Sequence, residues 1–347
     1  MGRKIFFLFS FLLLSVASLY CLILVCGFAL APEVYAKTES ATLTINESSF
    51  SSEISKNTWS NPVLSSPISK VENNSEIPAA TNGTAKGKII TRCIDSSAAN
   101  LEYQKIYVKN QTGVDINLKT ELLSPPKLKI TSTNEPQVLI VHTHTTECYM
   151  NEERGYYTNS DATRTTDDTK NIVAVGKVLK DTLDKKGILT VHATEKHDYP
   201  EYTGSYGRAE QTIKSYLEKY PTIQVVLDLH RDSITDANGA KSALVTNIKN
   251  KKAAQVMLVS GCESGSVTGF PNWRENFRLA IKLQQTMEVL YPSLARPILF
   301  TSRKYNQHLT TGSLLIECGT EANTLEQAAY SAELLGECIA ATLNTLK

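Results

Sequence analysis

Two histidines and a glutamate follow one short apolar run near the middle of this 347-residue chain. The run is residues 138–141 (VLIV), and His142, His144 and Glu147 come after it without an intervening turn signal. Four apolar residues in succession are typical of a strand that is buried on both faces of a sheet. Imidazole and carboxylate groups at the end of such a strand can bind a metal ion or transfer a proton.

The same arrangement occurs twice more towards the C-terminus. Residues 223–229 are mostly apolar and lead into His230, and residues 313–316 lead into Glu317. In an α/β sheet, reactive groups usually stand at the carboxyl ends of the strands. We therefore expect three strands to bring these side chains to a single site.

The residue types predict a catalytic zinc centre. Catalytic zinc usually has three protein ligands and an open position for water, and the ligands here would be His142, His230 and one carboxylate. We assign the carboxylate to Glu147, with Asp167 as the alternative. Glu317 would act on the activated water as the proton-transfer group.

Two further polar residues share this region. On an extended backbone, His142 and His144 would point to the same side, so His144 could line the site as a hydrogen-bonding neighbour of the ligands. By the same alternation, Asp228 shares a face with His230. It is interpreted either as the carboxylate that orients an imidazole or as a buried hydrogen-bond acceptor.

Predicted helices alternate with the predicted strands along residues 136–347. This alternation favours an α/β fold with three layers, in which helices flank a mostly parallel central sheet. Helices are predicted over residues 171–186, 208–219 and 272–290 and from Thr324, where Gln327 completes a capping box, and a hairpin is predicted over residues 243–247 and 255–260.

Composition divides the chain into four segments, namely residues 1–36, 37–87, 88–135 and 136–347. Residues 5–31 form an apolar run behind Arg3 and Lys4 that is long enough to cross a hydrocarbon core of about 30 Å. This predicts a transmembrane anchor with the remainder outside the cytoplasm, and cleavage after Ala36 is the alternative.

The second and third segments differ in composition from the anchor. Residues 37–87 are rich in Ser, Thr and Asn, which predicts a disordered tether. Residues 88–135 have short apolar runs, but their composition does not indicate how they pack. The whole chain has 36 basic and 35 acidic residues, so its charge gives no reason to expect a nucleic-acid partner.

Three sequence blocks resemble the signature blocks of the stage II sporulation protein P family: residues 141–147 (VHTHTTE), 228–233 (DLHRDS) and 315–324 (LIECGTEANT). Members of this family are membrane-anchored peptidoglycan hydrolases of endospore-forming bacteria. Their fold is similar to that of zinc-dependent N-acetylmuramoyl-L-alanine amidases. The resemblance implies amide cleavage between glycan and stem peptide, together with endopeptidase activity on peptide cross-links.

Applied residue by residue, the resemblance implies zinc ligands at His142 and His230, a third ligand at Glu147 and a catalytic glutamate at Glu317. It also implies a single-pass protein of the cell membrane whose catalytic domain faces septal peptidoglycan during forespore engulfment. The expected partners are peptidoglycan itself and the sporulation proteins D, a lytic transglycosylase, and M, a membrane protein.

Two other function classes remain open. Cys148 and Cys318 flank the proposed site residues, so a cysteine hydrolase with His142 or His144 as its base is one alternative. A catalytically silent scaffold that binds the cell wall is the other, although no expected ionisable residue is missing. The seven cysteines lack CxxC spacing and small-domain density, which argues against a disulfide framework and a thiolate zinc site.

Overall fold

The computed structural model describes residues 85–131 and 134–346. The predicted membrane span and all but the last three residues of the predicted tether lie outside the described residues. Within the described ranges, no helix combines the length and the apolar character that a membrane crossing requires.

In these ranges the chain forms twelve strands and five α-helices. The strands are β1 Gly87–Arg92, β2 Leu101–Tyr103, β3 Ile106–Asn110, β4 Val138–Val141, β5 Tyr156–Tyr157, β6 Thr190–His192, β7 Val225–Asp232, β8 Lys241–Ile248, β9 Lys251–Ala254, β10 Val256–Gly261, β11 Ile298–Thr301 and β12 Ser313–Thr320. The helices are α1 Leu118–Leu123, α2 Ile172–Lys185, α3 Ser205–Lys219, α4 Trp273–Leu290 and α5 Leu325–Asn344.

Eight strands form the main sheet, in the order β2-β3-β11-β10-β12-β7-β4-β6. Of the seven pairings between these described strands, five are parallel and two are antiparallel. The four strands β12, β7, β4 and β6 run parallel to one another, so their carboxyl ends meet at one edge. The fold is a mixed α/β fold, and its sheet is mostly parallel as the sequence predicts.

Helices cover both faces of this sheet. On one face, α2, α4 and α5 pack against strand residues that include Ile140, Leu227 and Ile316. On the other face, α3 packs against a smaller cluster that includes Leu139 and Val226. Apolar side chains therefore alternate between the two faces along each central strand, as expected of strands buried on both sides.

The hairpin predicted over residues 243–247 and 255–260 is wrong. β8 turns back at its end and pairs with β9, whereas residues 256–261 form β10 in the main sheet between β11 and β12. The reason is the turn after Ile248, where Lys249 and Asn250 both have positive φ values of 50° and 62°. Two left-handed residues make the tight two-residue connection that favours a hairpin.

The segment 88–135 is part of the same fold. β1 joins β8 and β9 in a four-stranded sheet, and β3 pairs with β11 at one end of the main sheet. α1 is held to α4 by Glu121, whose carboxylate binds Arg274 and accepts a hydrogen bond of 2.9 Å from Nε of Arg278. These contacts settle the packing that composition left open.

The predicted helices are confirmed with small changes at their ends. The last helix has the predicted capping box, because Thr324 accepts from the amide of Gln327 and the Gln327 side chain binds the amide of Thr324. The helix predicted over residues 208–219 begins three residues earlier, at Ser205, after Gly204 with φ 84°. That extra turn places Ser205 and Tyr206 beside the sheet edge.

α2 approaches the end of β4 closely at Gly176. A Cβ atom at this position would lie 2.7 Å from Nε2 of both His142 and His192. Those two rings are in contact, with their Nε2 atoms 2.8 Å apart. Gly176 is therefore required by packing, because any side chain would displace a buried imidazole.

We expect Gly176→Ala to destabilise the protein relative to Gly207→Ala, a substitution in α3 where an added Cβ would contact nothing within 4 Å. Both changes raise helix propensity by up to about 1 kcal/mol, but overpacking at Gly176 costs about 1–3 kcal/mol. Urea denaturation of both variants measures the difference. Equal stabilities would contradict the close contact between α2 and the two histidines.

Candidate active site

The pairing of β7 with β12 brings two ionisable residues together. Glu317 stands directly opposite His230 in the parallel register of these strands. Asp228 and Leu315 are also partners in that register, two residues before them. Because side chains alternate along a strand, all four lie on the face that α3 covers. Asp228 and His230 are buried there.

Glu317 has one carboxyl oxygen whose surroundings are unusual in the described part of the chain. Its Oε2 is buried and unpartnered among the described residues. Burial raises the pKa of Glu317 to about 8, and the nearby carboxylate of Asp232 adds to this shift. An unpaired buried carboxyl is costly to a fold, so it is a candidate for a functional group.

His230 lies between two carboxylates. Its Nε2 is 2.8 Å from Oδ1 of Asp228, and its Nδ1 is 3.6 Å from Oε2 of Glu147. The Asp228 contact is short but is not aligned as a hydrogen bond, so its attraction is mainly ionic. Burial alone would lower the pKa of His230, but Asp228 and Glu147 outweigh burial and hold the pKa well above its usual value.

Asp228 is fixed by the turn that follows β4. The amide and the hydroxyl of Thr143 donate hydrogen bonds of 2.8 and 2.7 Å to its two oxygens. Burial would raise the pKa of Asp228, but His230 and these donors lower it. Asp228 is thus both of the things that the sequence left open: a buried acceptor and the carboxylate that contacts an imidazole.

Glu147 is held in place by β7. Its Oε2 accepts a hydrogen bond of 3.1 Å from the amide of Arg231. Burial would raise the pKa of Glu147, but His230 and Arg231 lower it to about 2. The Arg231 side chain is buried and donates to the carbonyls of Cys148 at 2.8 Å and Thr163 at 2.6 Å. Arg231 therefore fastens the loop that carries Glu147 to the sheet.

His144 completes the cluster. Its ring stands edge-on to that of His230, with centroids 5.3 Å apart. Its Nε2 is 3.1 Å from the hydroxyl of Tyr202, and its Nδ1 is 3.4 Å from Oγ of Ser205. The ring of Tyr206 lies 5.6 Å away on another side. Burial, with His230 as a further cause, lowers the pKa of His144 to about 4.

His142 lies elsewhere, which differs from the prediction that it stands beside His230. Its Nδ1 donates to the carbonyl of Leu229 at 2.8 Å, and its Nε2 contacts His192 beneath α2. The reason is strand alternation: Val141, the last residue of β4, belongs to the cluster on the α3 face, so His142 is directed to the opposite face. Burial lowers the pKa of His142 to about 3.

Asp167, the alternative carboxylate ligand, lies at the surface before α2. Its Oδ1 accepts a hydrogen bond of 2.6 Å from the hydroxyl of Thr169, and its Oδ2 is 3.1 Å from Nζ of Lys170. The Thr169 hydrogen bonds, with Lys170 as a further cause, lower the pKa of Asp167 to about 2. These contacts are those of a turn before a helix, and of the two candidate ligands Glu147 is the one that lies near His230.

The two cysteines beside the site are buried thiols. Cys318 follows Glu317 in β12 and points to the opposite face, where burial raises its pKa to about 12. Cys148 donates from Sγ to the carbonyl of Ala162 at 2.9 Å, and burial raises its pKa as well. A nucleophilic cysteine needs a lowered pKa, so these surroundings disfavour the cysteine-hydrolase alternative.

The cluster partly fits the predicted zinc ion. Among the described residues, no three His, Cys, Asp or Glu side chains are arranged to bind one ion as they stand. Glu147 and His230 nevertheless approach to 3.6 Å, close to the separation of about 3.4 Å between two ligands of a tetrahedral zinc ion. His144 would be the third ligand if it exchanged its contact with Tyr202 for the ion.

Residues 32–340 match the family described as Stage II sporulation protein P (SpoIIP). The chain belongs to this family. It is similar to the Stage II sporulation protein P of Bacillus subtilis (strain 168), with 31% identity over 235 residues. That match covers 65% of this chain and 54% of the relative, so the chain spans about half the length of that protein.

Several solved structures with a similar fold are amidases of low sequence identity to this chain. One is the N-acetylmuramoyl-L-alanine amidase from Clostridium difficile 630, with a TM-score of 0.37, 17% identity, and coverage of 61% of this chain and 97% of that one. Another is AmiC2 of Nostoc punctiforme, with a TM-score of 0.34, 12% identity, and coverage of 61% and 98%.

Sequence reasoning missed the aromatic side of this SpoIIP-family site. Tyr202, Tyr206 and Tyr305 come from two segments that are about 100 residues apart, and Ser205 adjoins the first of them. No spacing rule links these residues to His144 or Glu317. The early start of α3 and the loop before β12 bring them to the sheet edge, and both are products of tertiary packing.

We expect Asp228→Ala to cost about 3–5 kcal/mol of stability, because it leaves the His230 imidazolium without its nearest carboxylate and Thr143 without an acceptor. Asp181→Ala is the matched control, since the exposed pair of Asp181 with Lys177 contributes at most about 1 kcal/mol. Urea denaturation at neutral pH checks both values. Similar losses in the two variants would contradict the buried network.

Proposed function

We propose that this chain is a peptidoglycan hydrolase of sporulation, a zinc-dependent N-acetylmuramoyl-L-alanine amidase with endopeptidase activity. The observation that carries the proposal is the buried Oε2 of Glu317, which has no hydrogen-bond partner among the described residues and stands opposite His230 in a cluster with His144 and Glu147. Membership of the SpoIIP family supports the role in sporulation. A proton-transfer group beside a set of potential metal ligands is suited to amide hydrolysis.

The residues that would hold zinc are His144, Glu147 and His230. His144 takes the position that sequence analysis gave to His142, because its ring adjoins that of His230 on the α3 face. Asp228 contacts Nε2 of His230 and would keep a proton on that atom, so that Nδ1, once it has lost its own proton, would bind the metal beside Glu147. When bound, zinc would supply Lewis-acid activation of the scissile carbonyl and of the attacking water.

Glu317 would perform the proton transfers. As a carboxylate it would accept a proton from the attacking water, and it would then donate this proton to the nitrogen of the leaving amine. Burial raises the pKa of Glu317 and favours its protonated form, whereas a cation bound nearby would favour the carboxylate form. Glu317 would therefore become the carboxylate base once the site holds its zinc ion.

We expect zinc binding to distinguish the two histidines of the first block. His144→Ala should lose most of the bound zinc, because it removes a proposed ligand from the cluster. His142→Ala should retain zinc and instead lower the melting temperature, because it leaves a cavity beneath α2. Metal analysis and thermal denaturation of both purified variants measure these effects. Loss of zinc from His142→Ala alone would restore the assignment made from sequence.

Zinc binding should also distinguish the two candidate carboxylate ligands, Glu147 and Asp167. Glu147→Ala should weaken zinc binding, whereas Asp167→Ala should leave it unchanged because Asp167 is held at the surface by Thr169 and Lys170. Zinc titration of the two variants tests this difference. The reverse order would assign the third ligand to Asp167.

We expect Glu317→Gln to lower the rate of peptidoglycan hydrolysis by about 10²–10⁴ while the zinc content and fold are kept. The substitution keeps the shape of the side chain but removes the proton-transfer group. The assay is release of soluble fragments from purified peptidoglycan. Analysis of the new termini separates amidase from endopeptidase products. A zinc-loaded Glu317→Gln protein with nearly wild-type activity would refute the assigned role.

The location and the partners belong to the same proposal. An apolar segment over residues 5–31 would anchor the chain in the cell membrane, with the catalytic domain outside the cytoplasm. The proposed partners in an engulfment complex are the sporulation proteins D and M. This part of the proposal is based on the resemblance of the sequence to the family.

We expect the full chain to stay with the membrane fraction after washing with high salt, because an apolar span is not released by screening of charges. Immunoblotting of the fractions, with N-terminal sequencing of the product, is the measurement. A soluble product that begins at Lys37 would replace the anchor with a cleaved signal peptide.

A further inference from the structure

A strained turn stands between β11 and β12. Tyr305 and Asn306 are consecutive residues with positive φ values of 48° and 56°. Asparagine tolerates this left-handed conformation, but a bulky residue such as tyrosine rarely adopts it. Such strain persists only where the surroundings enforce it, and it is concentrated at functional sites.

Buried amide side chains hold this turn in place. Nδ2 of Asn306 donates to the carbonyl of Tyr206 in α3 at 2.9 Å. Gln307 accepts from the amide of Gly261 and donates to the carbonyl of Val259, both at 2.9 Å, so it pairs with the end of β10. Nδ2 of Asn276 in α4 donates to the Gln307 carbonyl at 2.7 Å. The turn is therefore tied to three separate elements.

The same turn also approaches the backbone of β10. A Cβ atom at Gly261 would lie 2.0 Å from the carbonyl oxygen of Arg303, so only glycine fits there. The fold thus combines a glycine, three buried amide side chains and two left-handed residues at one short turn. A simple connection between β11 and β12 would not require this combination.

The turn positions the ring of Tyr305 at the candidate active site. The ring packs against the cluster that contains Leu315, which lies on the same face of β12 as Glu317. Its centroid is 5.8 Å from that of Tyr206, and the Tyr206 ring adjoins His144. Tyr305, Tyr206, His144 and His230 therefore form a continuous arc of rings beside Glu317.

The phenol of Tyr305 remains a hydrogen-bond donor. Burial raises its pKa, Arg303 opposes this shift, and Glu317 adds to it, so the hydroxyl is protonated at neutral pH. The Arg303 guanidinium, which lowers this pKa, has only donors to offer and cannot accept the phenolic hydrogen. The phenolic hydrogen is therefore available to a substrate.

We propose that Tyr305 is a catalytic residue whose phenol donates a hydrogen bond to the scissile carbonyl oxygen as this oxygen gains negative charge. This inference rests on the proposed amide hydrolysis and adds to it a group that stabilises the transition state. The phenol keeps its proton throughout, and Glu317 carries out the proton transfers. A donor fixed beforehand by a rigid turn loses little free energy to reorganisation during the reaction.

The test is Tyr305→Phe, which removes the hydroxyl and keeps the ring that packs on Leu315. We expect kcat to fall by about 10²–10³, with KM, zinc content and melting temperature close to those of the wild type. A phosphinate analogue of the tetrahedral intermediate should bind more weakly by a similar factor. Tyr199→Phe is the matched control, because Tyr199 is 57% exposed. It should leave all these quantities unchanged.

Two results would overturn the inference. One is an unchanged kcat in a zinc-loaded Tyr305→Phe protein. The other is a kcat loss in Tyr206→Phe that is absent from Tyr305→Phe, which would assign the donor to the neighbouring phenol. Both leave the proposed hydrolysis intact, because the wild type still cleaves peptidoglycan. Failure of the proposed function would give a different result, because the wild-type protein would then release no fragments from peptidoglycan.

Discussion

The parallel pairing of β7 with β12 is the constraint on which the site depends. It places Glu317 beside His230 with both side chains on the same face of the sheet. Neither residue is near the other in sequence. A shift of the register by one residue would turn one of the two side chains to the opposite face, because the period of a strand is two. Hydrophobic burial on the other face fixes this register, through residues such as Leu229 and Ile316.

The charges on this face are arranged to compensate burial, with one exception. His230 stands between Asp228 and Glu147, and the Glu147 carboxylate also accepts from the amide of Arg231. Ion pairs of this kind contribute little net stability, because desolvation offsets most of their attraction. In the described ranges, the Oε2 atom of Glu317 has no hydrogen-bond partner. A network that adds little net stability and leaves one carboxyl oxygen without a partner is more consistent with chemistry than with folding.

Rigid elements and loops contribute differently to this site. The strands fix Asp228, His230 and Glu317, whereas His144 and Glu147 lie in the turn after β4. That turn is held from several sides, by Thr143 on Asp228 and by Arg231 beneath Glu147. α3 and the strained turn at Tyr305 close the aromatic side. Each loop residue is thus supported by hydrogen bonds to a strand or helix, as a preorganised site requires.

The sequence by itself determined the mixed α/β fold, the strands that end in ionisable residues, and Glu147, His230 and Glu317 as members of one cluster. Apolar runs and helical spacing carry this information locally, so they can be read without a structure. Tertiary structure decided which histidine of the first block joins the cluster. β4 ends at Val141, so its alternation directs His142 to the opposite face but does not extend to His144, which lies in the turn that follows. Packing of Gly176 against His142, and of Tyr202 against His144, then separates the two rings, and such contacts between distant segments leave no pattern in the sequence.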